Sequence, residues 1–163
     1  MSQKLAHGGR LMLARRMFPE APWPFLDLST GINPHAYRLP PLPPASFTRL
    51  PEPEDASALE QEAARAYGVD DPAMVVAAPG TQALIQWLPR LFPQASVTIL
   101  GPTYAEHAHA WASAGTRVTT ASSPAAFADS PAAVLCNPNN PDGRRWPATA
   151  LLAAAPRDLL VVD

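Results

Sequence analysis

Short apolar runs alternate with helix-forming segments through residues 73–162, and this alternation constrains the fold more than any other feature of the chain. Runs at 73–78, 96–100, 116–120, 132–136 and 159–162 read as strands. Between them lie a helix opened by Gly80, Thr81 and Gln82 and carrying Leu84, Ile85, Leu88 and Leu91, a second over 104–114, and a short one near 148–155. A helix through Tyr67, capped by Asp55 or Ser57 and stopped by Gly68, precedes the series. Repetition of this kind predicts an α/β domain with a mostly parallel sheet and flanking helices, its ligands gathered at the carboxyl ends of the strands.

Before residue 55 the pattern differs. Residues 9–18 read as a short amphipathic helix stopped by Pro19 and Pro22, and prolines at 34, 40, 41, 43, 44, 51 and 53 exclude regular structure from most of 30–53. A loop this long beside a regular domain is a functional segment. The expected division is 1–55, an N-terminal helix and extended proline-rich arm, and 56–163, the sheet-bearing domain.

Composition removes several function classes. No apolar stretch approaches the ~20 residues of a spanning helix, and a net charge of −2 offers no positive field for phosphate backbones. Neither a membrane nor a nucleic acid is an expected partner. No long apolar segment follows Lys4, His7 and Arg10, which predicts a cytoplasmic protein. The single cysteine, Cys136, excludes an internal disulfide and, closing an apolar run, reads as a small core residue. His107 and His109 stand two apart on a predicted helix and point to different faces, so no metal site is expected.

Chemistry-bearing residues cluster where the predicted strands end. The first strand leads into Pro79, Gly80, Thr81 and Gln82, a helix start whose free N–H groups suit a phosphate. The second leads into Gly101, Pro102, Thr103 and Tyr104, an aromatic ring at the mouth of the sheet. The fourth leads into 137–143, where prolines and Gly143 hold asparagine amides rigidly. The last ends at Asp163, an acid suited to a ring N–H⁺. Phosphate holder, ring stack, oxygen donor and ring-nitrogen acid together describe one ligand shape, a phosphorylated pyridine.

With these residues in view, the chain resembles the N-terminal half of the fold-type-I pyridoxal-phosphate enzymes over essentially its whole length. Within that group it resembles the threonine-phosphate decarboxylases of cobalamin biosynthesis, themselves related to histidinol-phosphate aminotransferases. The narrower resemblance rests on His7-Gly8-Gly9-Arg10, on Leu28-Ser29-Thr30-Gly31-Ile32-Asn33-Pro34, and on Arg49-Leu50-Pro51-Glu52-Pro53. It implies pyridoxal 5′-phosphate as cofactor, with Gly80, Thr81 and Gln82 at its phosphate, Tyr104 stacked on its ring, Asn140 at the ring hydroxyl and Asp163 at the ring nitrogen. It also implies His7, Gly8 and Asn33 in the pocket of a phosphorylated amino acid, and a homodimer. The implied reaction is decarboxylation of L-threonine O-3-phosphate to (R)-1-aminopropan-2-yl phosphate, with a histidinol-phosphate-type aminotransferase as the alternative.

The same resemblance implies parts that these 163 residues do not contain. The family continues past the strand-end acid with a Ser-x-x-Lys segment supplying the Schiff base, a phosphate-binding arginine and a small domain. Lys4 is the one lysine here, at the other end, where no Schiff base is expected. The expectation is therefore a partial large domain, from an incomplete gene model or a truncated product, with no catalytic residue of its own. As a non-catalytic fragment it would be inactive alone, its first strand without its antiparallel neighbour and its apolar helix faces exposed.

Overall fold

Strands covered on both faces need nearly continuous apolar runs, and this chain supplies them. The structure, a computed structural model, describes residues 8–163. Its elements in chain order are α1 (Leu11–Met17), α2 (Pro53–Tyr67), α3 (Thr81–Leu91), β1 (Ser96–Leu100), α4 (Ala105–Ser113), β2 (Arg117–Ala121), β3 (Ala132–Leu135), α5 (Ala148–Ala153) and β4 (Leu159–Val162). The four strands form one wholly parallel sheet in the order β2-β1-β3-β4, which bears out the predicted α/β class.

Period-two alternation sorts the strand side chains into two cores. On one face Val97, Ile99, Ala132 and Val134 pack with Trp111 of α4, while on the other Leu100, Ala133 and Leu135 pack with Phe127 and with Leu151 of α5. Burying Phe127 alone contributes roughly 1.5–3 kcal/mol. Two polar groups of this interior pair with each other: Thr98 Oγ1 donates to Ser130 Oγ (3.1 Å), which donates to the Ala132 carbonyl oxygen (2.6 Å).

The strand order also prepares a site. From β1 the chain passes through α4 to β2 on one side, then returns to lay β3 on the other side of β1. In open parallel sheets the usual ligand position lies outside the carboxyl ends of the two strands at such a reversal, here β1 and β3.

Two compact units can be distinguished, one of residues 1–34 with 88–163, the other of residues 35–87. In the second unit α2 starts earlier than expected. The Glu52 side chain accepts from the helix backbone while the Asp55 carboxylate accepts the Glu52 N–H (2.9 Å), a reciprocal cap that leaves Pro53 in the first helical position. The helix stops at Gly68, as expected, with φ at 69°.

The strand expected at 73–78 does not form. Asp71 accepts the Ala73 N–H (2.9 Å) ahead of Pro72, starting a single 3-10 turn over Pro72–Met74. Residues 75–78 are extended but join no ladder, and the Ala77 N–H goes to the Glu60 carboxylate (2.9 Å). A β-branched run becomes a strand only where a neighbour takes its backbone groups; here a side chain and a turn take them. Met74 and Val76 are left exposed, and so are Trp87 and Leu91 on α3, the exposed apolar face that the sequence led us to expect. Among the described residues no helix is long and apolar enough to cross a membrane.

Candidate active site

Asp163 prolongs the parallel ladder by one residue. Its N–H donates to the Leu135 carbonyl (3.0 Å) and its own carbonyl accepts the Asn137 N–H (2.7 Å), which fixes it at the carboxyl edge of the sheet. Its carboxylate lies 2.9 Å from His107 Nε2 and 3.5 Å from Cys136 Sγ, both contacts falling on Oδ2. The His107 side chain is only 2% exposed, whereas Asp163 keeps 32% of its side chain open to solvent. Oδ1 is thus the oxygen on offer to a ligand.

His107 reaches this point because of its place on α4. It follows Tyr104, the residue capping that helix, by three positions, a spacing that shares one helix face. The two rings meet edge to face, centroids 6.1 Å apart and planes at 86°. Burial pushes the His107 imidazole down, but hydrogen bonds to Cys136 and Asp163 outweigh it, so its pKa lies above the ordinary histidine value. Burial likewise raises the Cys136 thiol, and hydrogen bonding to His107 and the Thr103 side chain brings it below its usual value. Tyr104 is pushed up by burial, with Glu106, Asp163 and Cys136 adding to the effect, so its phenol stays neutral.

The turn after β3 is tied down by side-chain hydrogen bonds. Asn137 exchanges two bonds with the Trp146 backbone, donating from Nδ2 to its carbonyl (3.0 Å) and accepting its N–H at Oδ1 (2.9 Å). Asn139 Nδ2 donates both to the Pro102 carbonyl beyond β1 (3.0 Å) and to Asp142 Oδ1 (2.8 Å). Gly143, at φ 69°, returns its N–H to the Asn139 carbonyl (2.7 Å). These bonds use Asn137 and Asn139 and leave the exposed Asn140 outside them. Tyr104, Asn140 and Asp163 therefore stand beyond the ends of β1, β3 and β4, three adjacent strands.

The other expected residues are placed separately. Gly80, at φ 86°, and Thr81 and Gln82 form the start of α3 in the unit of residues 35–87, with the Gly80 carbonyl accepting the Ala83 N–H (3.1 Å). Gly8 lies so close to Ser29 that a Cβ built on it would strike the Ser29 carbonyl oxygen, and the Gly9 N–H donates to Ser29 Oγ (2.9 Å). Asn33 is exposed. His7 lies outside the described residues.

Sequence reasoning missed His107, treated as half of a pair with His109, and gave Cys136 only a core role. His109 is exposed and His107 buried. The three-residue spacing from Tyr104 was the legible sign that His107 turns toward the strand ends.

A family model for aminotransferase class I and II matches residues 42–162. The chain belongs to that family. It is 45% identical over 154 residues to a threonine-phosphate decarboxylase of Pseudomonas aeruginosa, covering 91% of this chain and 44% of that protein. Among solved structures it is similar to L-threonine-O-3-phosphate decarboxylase from Porphyromonas gingivalis, with a TM-score of 0.64 and 28% identity over 73% of this chain and 40% of that one. It is also similar to histidinol-phosphate aminotransferase from Sinorhizobium meliloti in complex with pyridoxal-5′-phosphate, with a TM-score of 0.63 and 28% identity over 74% and 37% of the two chains. The chain spans about half the length of the curated relatives it matches. The family match takes in Gly80, Tyr104 and Asn140 and stops one residue short of Asp163.

Proposed function

We propose that this chain carries the cofactor face of a pyridoxal 5′-phosphate enzyme that decarboxylates L-threonine O-3-phosphate to (R)-1-aminopropan-2-yl phosphate, in cobalamin biosynthesis and in the cytoplasm. The observation carrying the reading is Asp163, a carboxylate steadied on Oδ2 by His107 and Cys136 with its other oxygen available, at the end of a buried strand. That donor set fits the cofactor. A steadied, partly buried carboxylate accepts the N–H of a pyridinium and keeps the proton on the ring nitrogen. Tyr104 offers an aromatic face for stacking, Asn140 an amide donor for the ring oxygen, and Gly80, Thr81 and Gln82 the N–H groups of a helix start for the phosphate.

When bound, pyridoxal phosphate supplies a sink for the electron pair left behind by the departing carboxylate. Asp163 would hold the proton on the ring nitrogen, and Tyr104 would orient the ring by stacking on it. In this reading residues 1–55 form the substrate side, with His7, Gly8 and Asn33 contacting the phosphorylated amino acid, and 56–163 the cofactor domain of a homodimer. The substrate assignment is supported by the P. aeruginosa and P. gingivalis relatives. A histidinol-phosphate-type aminotransferase is the second reading, favoured by the nearly equal TM-score of the S. meliloti structure.

Lys4 is the only lysine among the 163 residues, so cofactor affinity is the first readout and turnover the second. Asp163→Asn is expected to weaken pyridoxal phosphate binding, measured by equilibrium dialysis, by tenfold or more, about 1.4 kcal/mol. Equal affinity in both proteins would remove Asp163 from the site. Carbon dioxide released from L-threonine O-3-phosphate supports the first reading, whereas amino transfer to 2-oxoglutarate without it supports the second. Cofactor binding with neither product supports a non-catalytic chain.

A further inference from the structure

Residues 8–9 and 27–30 lie side by side, joined by hydrogen bonds that cross 20 positions of sequence. Asp27 Oδ1 accepts both the Ser29 N–H (2.8 Å) and the Ser29 hydroxyl (2.6 Å). A hydroxyl has one proton, and a carboxylate holds it more strongly than a neutral acceptor does. With that proton given to Asp27, Ser29 Oγ can face the other segment only as an acceptor, and it takes the Gly9 N–H at 2.9 Å. Both glycines are required here, for different reasons. A Cβ on Gly8 would lie 1.9 Å from the Ser29 carbonyl oxygen, while Gly9 stands at φ 75°, where a Cβ would meet Thr30 Cγ2 at 3.3 Å. Ser29 is exposed, so water competes for its hydroxyl, and the carboxylate is what keeps that hydroxyl turned toward Asp27 and its lone pair toward Gly9.

We propose that Asp27 is a positioning residue for the phosphorylated substrate: acting through Ser29, it holds the segment carrying Gly8 and the segment carrying Asn33 at a fixed spacing, so that both meet one ligand. This role rests on the function proposed above, in which Gly8 and Asn33 contact the phosphorylated amino acid. Asn33 follows Ser29 by four positions, and Gly31 between them gives the chain freedom to wander unless its start is anchored. Anchoring Ser29 against Gly9 supplies that fixed start for one segment and a fixed backbone for the other. Asp27 touches no ligand itself; it directs a hydroxyl, and the hydroxyl directs the Gly9 amide. Contacts made from two segments are sensitive to such placement, since a shift of a fraction of an ångström in one of them loosens the grip of both.

Contact and binding can be read separately in the 163-residue chain. Hydrogen exchange at the Gly9 amide, followed by NMR, should be slowed in the unsubstituted protein and should quicken in Asp27→Ala and Ser29→Ala. Asp27→Asn, whose side-chain oxygen still accepts from Ser29, and Ser29→Thr, which keeps the hydroxyl, should restore the protection. Affinity for L-threonine O-3-phosphate, measured by calorimetry, should follow the same order, falling about tenfold or more in the two alanine variants and returning in the two conservative ones. Pyridoxal phosphate affinity, measured by equilibrium dialysis, should be the same in every variant, which a substitution that merely unfolds the chain would not leave. Asp27→Asn as weak in substrate binding as Asp27→Ala would mean that the charge meets the ligand directly, and overturns the positioning role. Rapid exchange at Gly9 in the unsubstituted protein overturns it too, and so does substrate affinity indifferent to all of these substitutions. An unsubstituted chain that binds pyridoxal phosphate but not the substrate removes this role and leaves the cofactor reading standing. Substrate binding in the expected order without cofactor binding removes the cofactor reading and leaves the role of Asp27.

Discussion

Residues 96–162 and residues 35–87 have comparable hydrophobic material and use it in opposite ways. In the first stretch Val97, Ile99, Trp111, Phe127, Val134 and Leu135 are at most 2% exposed, while in the second only Ala64 and Ile85 are buried apolar residues and Tyr37 and Leu50 stay 86% and 88% exposed. The difference lies in what each backbone offers a neighbour. A parallel strand presents two faces, and α4 covers one while Phe127 and α5 cover the other. An amphipathic helix such as α2 and a proline-rich arm present one face or none, and a β-branched run at 75–78 that joins no ladder adds no second layer. The proposed ring-binding residues Tyr104, Asn140 and Asp163 therefore stand on the well-covered half of the chain, and Gly80, Thr81 and Gln82 on the thinly covered one.

Trp111→Ala would break this contrast most directly. Emptying a site 1% exposed should cost about 3–5 kcal/mol in urea denaturation, against about 0.5 kcal/mol or less for Leu50→Ala in the arm. Similar losses at the two positions would show that the arm is as well packed as the sheet. Next comes Gly8→Ala, whose added methyl meets the Ser29 carbonyl; a loss of about 1–3 kcal/mol is expected. Hydrogen exchange should show it as faster exchange at residues 9–29 with β1 and β3 still protected, and uniform acceleration would mean that the two regions unfold together. Ser130→Ala is a smaller probe, since it strands Thr98 Oγ1 inside the sheet and should lower stability by about 1 kcal/mol, visible as a lower urea midpoint.

The smallest effect belongs to Asp142. Its carboxyl is held below its ordinary value of 3.8 by the Arg144 backbone N–H first and the Asn139 side chain second. A depressed pKa in the folded state means a stabilising contribution present above 3.8 and lost as pH falls through the lower folded value. Carboxyl titration by NMR should give a midpoint below 3.8, rising toward it when Asn139 is replaced by Ala. An unchanged midpoint in Asn139→Ala would detach the Asp142 carboxylate from the turn.

Much of the site was legible because it rests on local chemistry. Asp163 after Leu159, Leu160, Val161 and Val162, and Gly143 after two prolines, announce a strand-end acid and a rigid turn from neighbours a few residues away. The partners of those residues were not legible in the same way. His107 meets Asp163 across 56 positions of sequence, and Cys136 joins them only because β3 and β4 lie side by side. Residues 73–78 show the reverse case, a strand-like composition beside an Asp-Pro start that turned its first residues into a helical turn.

By itself the sequence determined which segments are strands and helices from 96 onward, where they stop, and which polar residues sit at the stops, since hydrophobic period and turn geometry act over a few residues. Only the tertiary structure decided the strand order, the histidine and cysteine that hold the acid, and the absence of a strand at 73–78. Those depend on which backbone or side chain arrives alongside, and hydrogen-bond partners far apart in the chain are chosen by packing.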